Sequence, residues 1–262
     1  MTRHVAAMAV VCGVVMALSP GCEQQPPQDA EAAARLFAQA NQHYAAGEYQ
    51  AAATVYRRLL EQGYHGLAVC YNLGNAYLQM EEPGRAVLYY RRALLIAPRH
   101  GDTAYNLRYA ESQLAYQASP VVETWGHLVL RWLLSRLSIN ELVGVSALLY
   151  WLAFAVGIGR IYSSRRRVTI ALWALVIVLM LSSALTYGKW HRDYAGGRAI
   201  VVADAAMMSG PGDSFEVLAR LRPGAEVCVL QTPGQYHEIR TAAGGRGWLE
   251  KQNLEFISPY HD

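Results

Sequence analysis

Four cysteines in 262 residues do not make a disulfide framework. Cys12 and Cys22 lie within and at the end of an apolar amino-terminal stretch. Cys70 and Cys228 fall in segments of different character, so both read as buried small hydrophobes. The eight histidines are scattered, with no paired metal-binding spacing and no cysteine or carboxylate ligands nearby, so neither metal nor cofactor is expected. No serine stands in a nucleophile-elbow pattern, and Gly244-Gly245-Arg246-Gly247 suits a hairpin turn better than a phosphate loop. A net charge of +3 is too small to imply nucleic acid. The sequence predicts a protein that is not an enzyme.

Ionisable residues are also missing from two long apolar runs, 142–158 and 168–187. A helix needs about 17–25 apolar residues to cross a bilayer core, so both runs are expected to span, and the lack of charge argues against an ion or proton pathway. Arg160 can snorkel and let Ile161 and Tyr162 lengthen the first run. The loop over 159–167 packs four arginines into nine residues, the density of a cytoplasmic turn. The soluble parts before and after the hairpin then face the opposite compartment. The start of the chain agrees: Thr2-Arg3-His4 and the apolar stretch to Leu18 have the form of an export signal. Leu18-Ser19-Pro20-Gly21-Cys22 resembles a bacterial lipoprotein signal, with Cys22 the lipidated residue. Ser19 departs from the usual large aliphatic residue, so a signal anchor or an ordinary cleaved signal stays open. A polar tether follows over 23–32.

Residues 33–117 hold an internal repeat. The copies 33–66 and 67–100 align at an offset of 34, the tetratricopeptide period. Asn72-Leu73-Gly74-Asn75-Ala76-Tyr77 opens the second copy, Ala86, Tyr90 and Ala93 follow on its second helix, and Pro98 ends it. The first copy carries Ala40, His43, Ala52, Tyr56 and Leu59 at the matching places. Ala104-Tyr105-Asn106-Leu107 starts a third unit. Arg108 then replaces the small residue, so this helix is expected to cap the array. Over 120–140, Trp125, Leu128, Val129, Trp132, Leu133 and Leu137 share one helical face. That reads as an amphipathic helix on the bilayer surface, the alternative being an extension of the helical array.

First helices of such arrays line the concave side. Their second, fifth, ninth and twelfth places here hold Ala34, Phe37, Asn41 and Tyr44, then Ala68, Tyr71, Asn75 and Leu78, then Asp102, Tyr105, Tyr109 and Ser112. The expected peptide-binding groove is Phe37, Asn41, Tyr44, Tyr71, Asn75, Leu78, Tyr105 and Tyr109, with the two asparagines as backbone hooks. Repeat proteins that clamp a terminal carboxylate carry lysine or arginine where this chain has Phe37, Tyr105 and Tyr109, so that activity is not expected.

Residues 197–262 alternate β-formers with Gly210-Pro211-Gly212, Arg222-Pro223-Gly224 and Gly244-Gly245 turns, which predicts a small all-β barrel. The run Ser209-Gly210-Pro211-Gly212, Val217-Leu218, Val227 to Val229 and Gly245-Arg246-Gly247-Trp248-Leu249 resembles a bacterial SH3-like domain, with a ligand face around Tyr236 and Trp248. The predicted architecture is a multidomain membrane protein: helical tetratricopeptide repeats, two transmembrane helices and an SH3-like barrel.

In this order, and above all in Tyr71 to Leu114 with its Tyr105-Asn106-Leu107-Arg108-Tyr109-Ala110 helix, the chain resembles the BatE family, named for the Bacteroides aerotolerance operon. The resemblance implies a non-enzymatic scaffold in the bacterial inner membrane, its soluble domains periplasmic. It would serve envelope integrity or stress tolerance alongside von Willebrand A-domain membrane proteins of the Bat type, with membrane lipid as a further contact. The alternative is a cell-wall module whose SH3-like domain grips peptidoglycan while the repeats act as a spacer.

Overall fold

A computed structural model of the protein describes residues 30–114, 136–162 and 165–258. The expected signal over 1–22, most of the tether over 23–32 and most of the interfacial helix over 120–140 lie outside the described residues.

Five helices form the amino-terminal array: α1 (Ala30–Ala45), α2 (Tyr49–Glu61), α3 (Leu67–Gln79), α4 (Pro83–Ile96) and α5 (Gly101–Gln113). The 34-residue offset explains their packing. Ala40 and Gly74 sit at one place, Ala52 and Ala86 at a second, Tyr56 and Tyr90 at a third, and all are buried. Small residues let the two helices of a repeat close, and a tyrosine from the second helix fills the space left. The approach is tightest at Gly74, where a β-carbon would stand 2.7 Å from the Tyr90 ring. The turns match as well: Gly47 and Glu81, 34 apart, both take left-handed backbone, with φ of 78° and 59°. Glycine adopts that conformation freely, whereas glutamate is strained in it. Pro83 then occupies the first turn of α4, where its missing N–H costs nothing. Cys70 is buried here, which pushes its thiol up to about 11, and it is a free thiol.

Two long helices follow, α6 (Ile139–Tyr162) and α7 (Arg166–Trp190). Both are long and apolar enough to cross a membrane, and they pack against each other. A capping box opens α6: the Ser138 N–H donates to Glu141 Oε2 at 2.8 Å and the Glu141 N–H to Ser138 Oγ at 3.2 Å. Between the helices, Ser146 and Ser182 hydroxyls meet at 2.8 Å and Arg160 Nε donates to Thr169 Oγ1 at 2.7 Å. Small polar residues joining two apolar helices are the usual glue of membrane pairs. A π-helical turn, His191–Ala195, ends α7, and there Lys189 Nζ donates to Asp193 Oδ2 at 2.7 Å, both side chains buried.

Seven strands complete the described chain: β1 (Arg198–Val201), β2 (Ala205–Met208), β3 (Val217–Leu221), β4 (Glu226–Gln231), β5 (Tyr236–Thr241), β6 (Arg246–Glu250) and β7 (Leu254–Phe256). They form one antiparallel sheet in the order β3-β2-β6-β5-β4-β1-β7. This corrects the expected barrel. The sheet is open, with β3 and β7 as its edges. Ala199, Val201, Met207, Val227, Ile239, Leu249 and Leu254 nevertheless meet in one buried cluster. A single sheet can gather side chains from nearly all its strands only by coiling over its own inner face. The short turns set that coil, but β3 is largely exposed and never pairs with β7.

The outer face of β1 and β7 rests on α4. Ile200 and Ile257 join the helical core. Arg92 Nη2 donates to the Phe256 carbonyl at 2.6 Å, and Arg91 pairs with Glu226 of β4 as well as with Glu111 of α5 at 3.1 Å. Glu226 also accepts from Arg198 Nε at 2.6 Å, and Arg198 faces Asp193 at 3.7 Å. One chain of ion pairs thus runs from the last repeat helix through the sheet to the end of α7. On the other side, Arg99 pairs with Glu141 at the start of α6.

Candidate functional site

The concave side of the array holds a hollow of about 320 Å³ lined by Tyr44, Asn75, Leu78, Gln79, Tyr105, Asn106 and Tyr109. Five of the eight expected groove residues meet there: Tyr44 from α1, Asn75 and Leu78 from α3, Tyr105 and Tyr109 from α5. The α5 rings stand well out, with Tyr105 64% and Tyr109 52% exposed. No carboxylate, ammonium, guanidinium or imidazole lines the hollow. Burial raises the phenol of Tyr44 above its ordinary 10.0, as do the neighbouring Tyr49 and Tyr71, so the ring stays neutral at physiological pH.

The other three expected residues have structural partners. Phe37 packs on Tyr56 with centroids 6.0 Å apart. Tyr71 lies against Tyr90 and His100 at 6.1 and 5.5 Å, and its hydroxyl accepts from Asn106 Nδ2 at 3.3 Å. Asn41 belongs to a triad: its Oδ1 accepts from the Tyr56 hydroxyl at 2.5 Å and from Asn72 Nδ2 at 3.1 Å. The same triad recurs one repeat later, where Asn75 Oδ1 accepts from the Tyr90 hydroxyl at 2.7 Å and from Asn106 Nδ2 at 2.9 Å. Each triad ties the second helix of a repeat to its own first helix and to the first helix of the next unit. The asparagines therefore hold the array together, and Asn75 also lines the hollow.

Tyr56, Asn72, Tyr90, Asn106 and Gln79 were not among the expected groove residues. The sequence carried the signal for four of them, since Tyr56 and Tyr90, and Asn72 and Asn106, stand 34 residues apart like Asn41 and Asn75.

On the sheet, Tyr236 and Trp248 share the outer face: Tyr236 lies opposite Glu250, and Glu238 opposite Trp248. The Tyr236 hydroxyl donates to Asp213 Oδ1 at 2.9 Å. Trp248 stands across from Met208, while its neighbours Gly247 and Leu249 turn into the core, so Trp248 is not a core residue. Phe215, before edge strand β3, and Val217 and Leu218 at its start are exposed, whereas Trp248 is half-buried. Among the described residues, no group of three or more histidine, cysteine or acidic side chains could hold a metal.

The tetratricopeptide repeat family matches residues 68–100, which run from α3 through α4 into the turn before α5. No curated protein matches the chain. Helical repeats with an open concave hollow define an interaction module, and the chain carries at least that one repeat of the family.

Proposed function

We propose that this protein is a non-enzymatic, membrane-anchored scaffold that captures a protein partner in the concave hollow of its repeats. The observation that carries the reading is the half-exposed tyrosine lining of that hollow, which the fold leaves uncovered while it covers the convex side with the sheet. A membrane anchor is supported by α6 and α7. Contacts between Arg92 and Phe256, and between Arg91 and Glu226, support a placement of the repeats and the sheet on the same side of a bilayer. An antiparallel pair of spans fits that placement. With the arginine-rich loop cytoplasmic, both domains face the periplasm, the arrangement of the BatE family that the sequence resembles. By that resemblance the partners are von Willebrand A-domain membrane proteins of the Bat type, in an envelope-integrity or stress-tolerance complex.

The test is photocrosslinking in intact membranes from position 109, which is exposed in the hollow, rather than from the packed Tyr71. Capture of a membrane protein that disappears on Tyr105→Ala supports the scaffold. A cytoplasm-dependent reporter should work at Ser164 and stay silent after Asp262, and the reverse pattern overturns the orientation. A second reading, peptidoglycan binding by the sheet, is favoured by the exposed apolar residues Phe215, Val217 and Leu218 at edge strand β3 and by the half-buried Trp248 on the outer face. Co-sedimentation of the full chain with purified sacculi, lost on Trp248→Ala but not on Tyr105→Ala, would establish it instead.

A further inference from the structure

We infer that the arginine-rich turn of the α6–α7 hairpin is a site for the phosphate of an anionic phospholipid head group, with Arg160 as its fixed member. The inference rests on the reading of α6 and α7 as membrane spans. Charge supplies the first argument. No aspartate or glutamate occurs between Glu141 and Asp193, so the hairpin gathers Arg160, Arg165, Arg166 and Arg167 with no carboxylate of its own to neutralise them. Three of the four also stand where a helix least favours cations. Arg165 is the N-cap of α7, and Arg166 and Arg167 lie in its first turn, which holds no acidic residue. That is the positive end of the helix dipole. All three residues are exposed. An anion seated among them relieves both costs, and a phosphate accepts the paired N–H groups of a guanidinium.

Position supplies the second argument, and it separates a site from a diffuse cloud of charge. Arg160 Nε donates to Thr169 Oγ1 at 2.7 Å, which fixes the guanidinium across the mouth of the hairpin. That bond uses one of the five N–H donors of the group. It joins the last turn of α6 to the first turn of α7, where Thr169 follows Arg166 by three residues and so shares its helical face. Arg160 and Arg166 are thereby brought to one place. The depth is that of lipid phosphates. The apolar run of α6 ends at Ile158 and that of α7 begins at Val168, so the bond marks the edge of the hydrocarbon core. Ile161 and Tyr162 stand exposed beside the cations. Apolar and basic surface mixed in this way suits acyl chains and head groups better than a soluble acidic partner.

The experiment places the full chain in nanodiscs of phosphatidylglycerol and phosphatidylcholine in equal amounts, with the same acyl chains. The chain is then extracted into detergent, and the lipid it retains is counted by native mass spectrometry. Phosphatidylglycerol should be retained at least about 5-fold over phosphatidylcholine. Thr169→Val alters no charge but releases Arg160, and Arg160→Lys keeps the charge but loses the fork; each should cut the preference to about twofold or less. Helical circular dichroism shows whether each variant is folded, and where one is not, the other decides. No preference in the parent overturns the inference. So does a preference that both variants keep, since diffuse charge then accounts for it. Retention of inorganic phosphate instead of lipid, when both are offered, makes the ligand a soluble anion and overturns the lipid assignment. A photoreactive residue at Tyr162 that captures protein rather than lipid in intact membranes gives the turn to an acidic partner and overturns it as well. A chain that alkaline carbonate strips from membranes loses the spans and the inference together, whereas one that stays embedded without lipid preference loses the inference alone.

Discussion

Replacing Asn41 and Asn75 together by alanine should loosen the whole repeat array, not merely its ligand binding. Treating these residues as groove hooks leads one to expect little loss of stability, but each carbonyl oxygen holds two hydrogen bonds. Each substitution strands a buried tyrosine hydroxyl and an amide N–H. A hydrogen bond contributes about 0.5–1.5 kcal/mol net, so each triad should lose about 1–3 kcal/mol. The triads share no residue, so the double variant should lose about 2–6 kcal/mol of the roughly 5–15 kcal/mol typical of a domain. Water reaching the half-buried asparagines favours the lower part of that range. Hydrogen exchange on the full chain in nanodiscs reads this locally: a loss of 2 kcal/mol is about 30-fold faster exchange across α1 to α5. Tyr90→Phe should cost less in the Asn75→Ala background than in the parent, because the bond it removes is already gone. Exchange unchanged within about twofold in the double variant would refute the triads and return the asparagines to solvent.

Gly74→Ala should cost about 1 kcal/mol and Gly74→Leu at least about 3, since a β-carbon already meets the buried Tyr90 ring and Ala40 tolerates one at the matching place; thermal unfolding of the full chain gives the order. Glu81→Gly should stabilise the array by about 1 kcal/mol by relieving left-handed backbone, with Gly47 as the precedent, and no gain in unfolding midpoint would show that the turn relaxes another way. Burial and the nearby Lys251 hold His237 below its ordinary 6.5, so the unfolded chain takes up the proton first as pH falls. Its contribution is complete above about pH 6.5 and is lost below it; exchange from β4 to β6 should quicken there in the parent and not in His237→Gln.

The repeats were legible because their period is long and their key places small. An offset of 34 aligned Gly74 with Ala40 and Tyr90 with Tyr56 without any knowledge of contacts. The two apolar helices were legible by length and composition. Strand β2 was not, since Ala205 and Ala206 have little strand propensity and the strand forms by pairing with β3 and β6. Closure of the sheet was a matter of hydrogen bonding between distant segments, which periodicity does not report. Half of the asparagine chemistry was missed for a related reason. Concave geometry aimed Asn41 and Asn75 at the groove, but their partners Asn72 and Asn106 sit one place from the aromatic positions that drew the eye.

The sheet resolves a difficulty that the repeats raise by themselves. Two repeats and a cap bury little surface, and such arrays are marginal at this length. Here the outer face of β1 and β7 supplies a further layer: Ile200 and Ile257 enter the helical core, and Leu114 at the end of α5 lies against Gly224 of the β3–β4 turn. The brace is centred on α4, a second helix, reaches α5 only at its carboxyl end, and leaves the hollow open. The first helices, which carry Tyr44, Asn75, Tyr105 and Tyr109, stay uncovered. Arg92→Ala should therefore weaken the array from behind, raising exchange in α4 and β7 together, while partner capture from position 109 falls only as far as the folded fraction does. Loss of binding in a variant that remains fully protected from exchange would mean that the convex contact also shapes the groove.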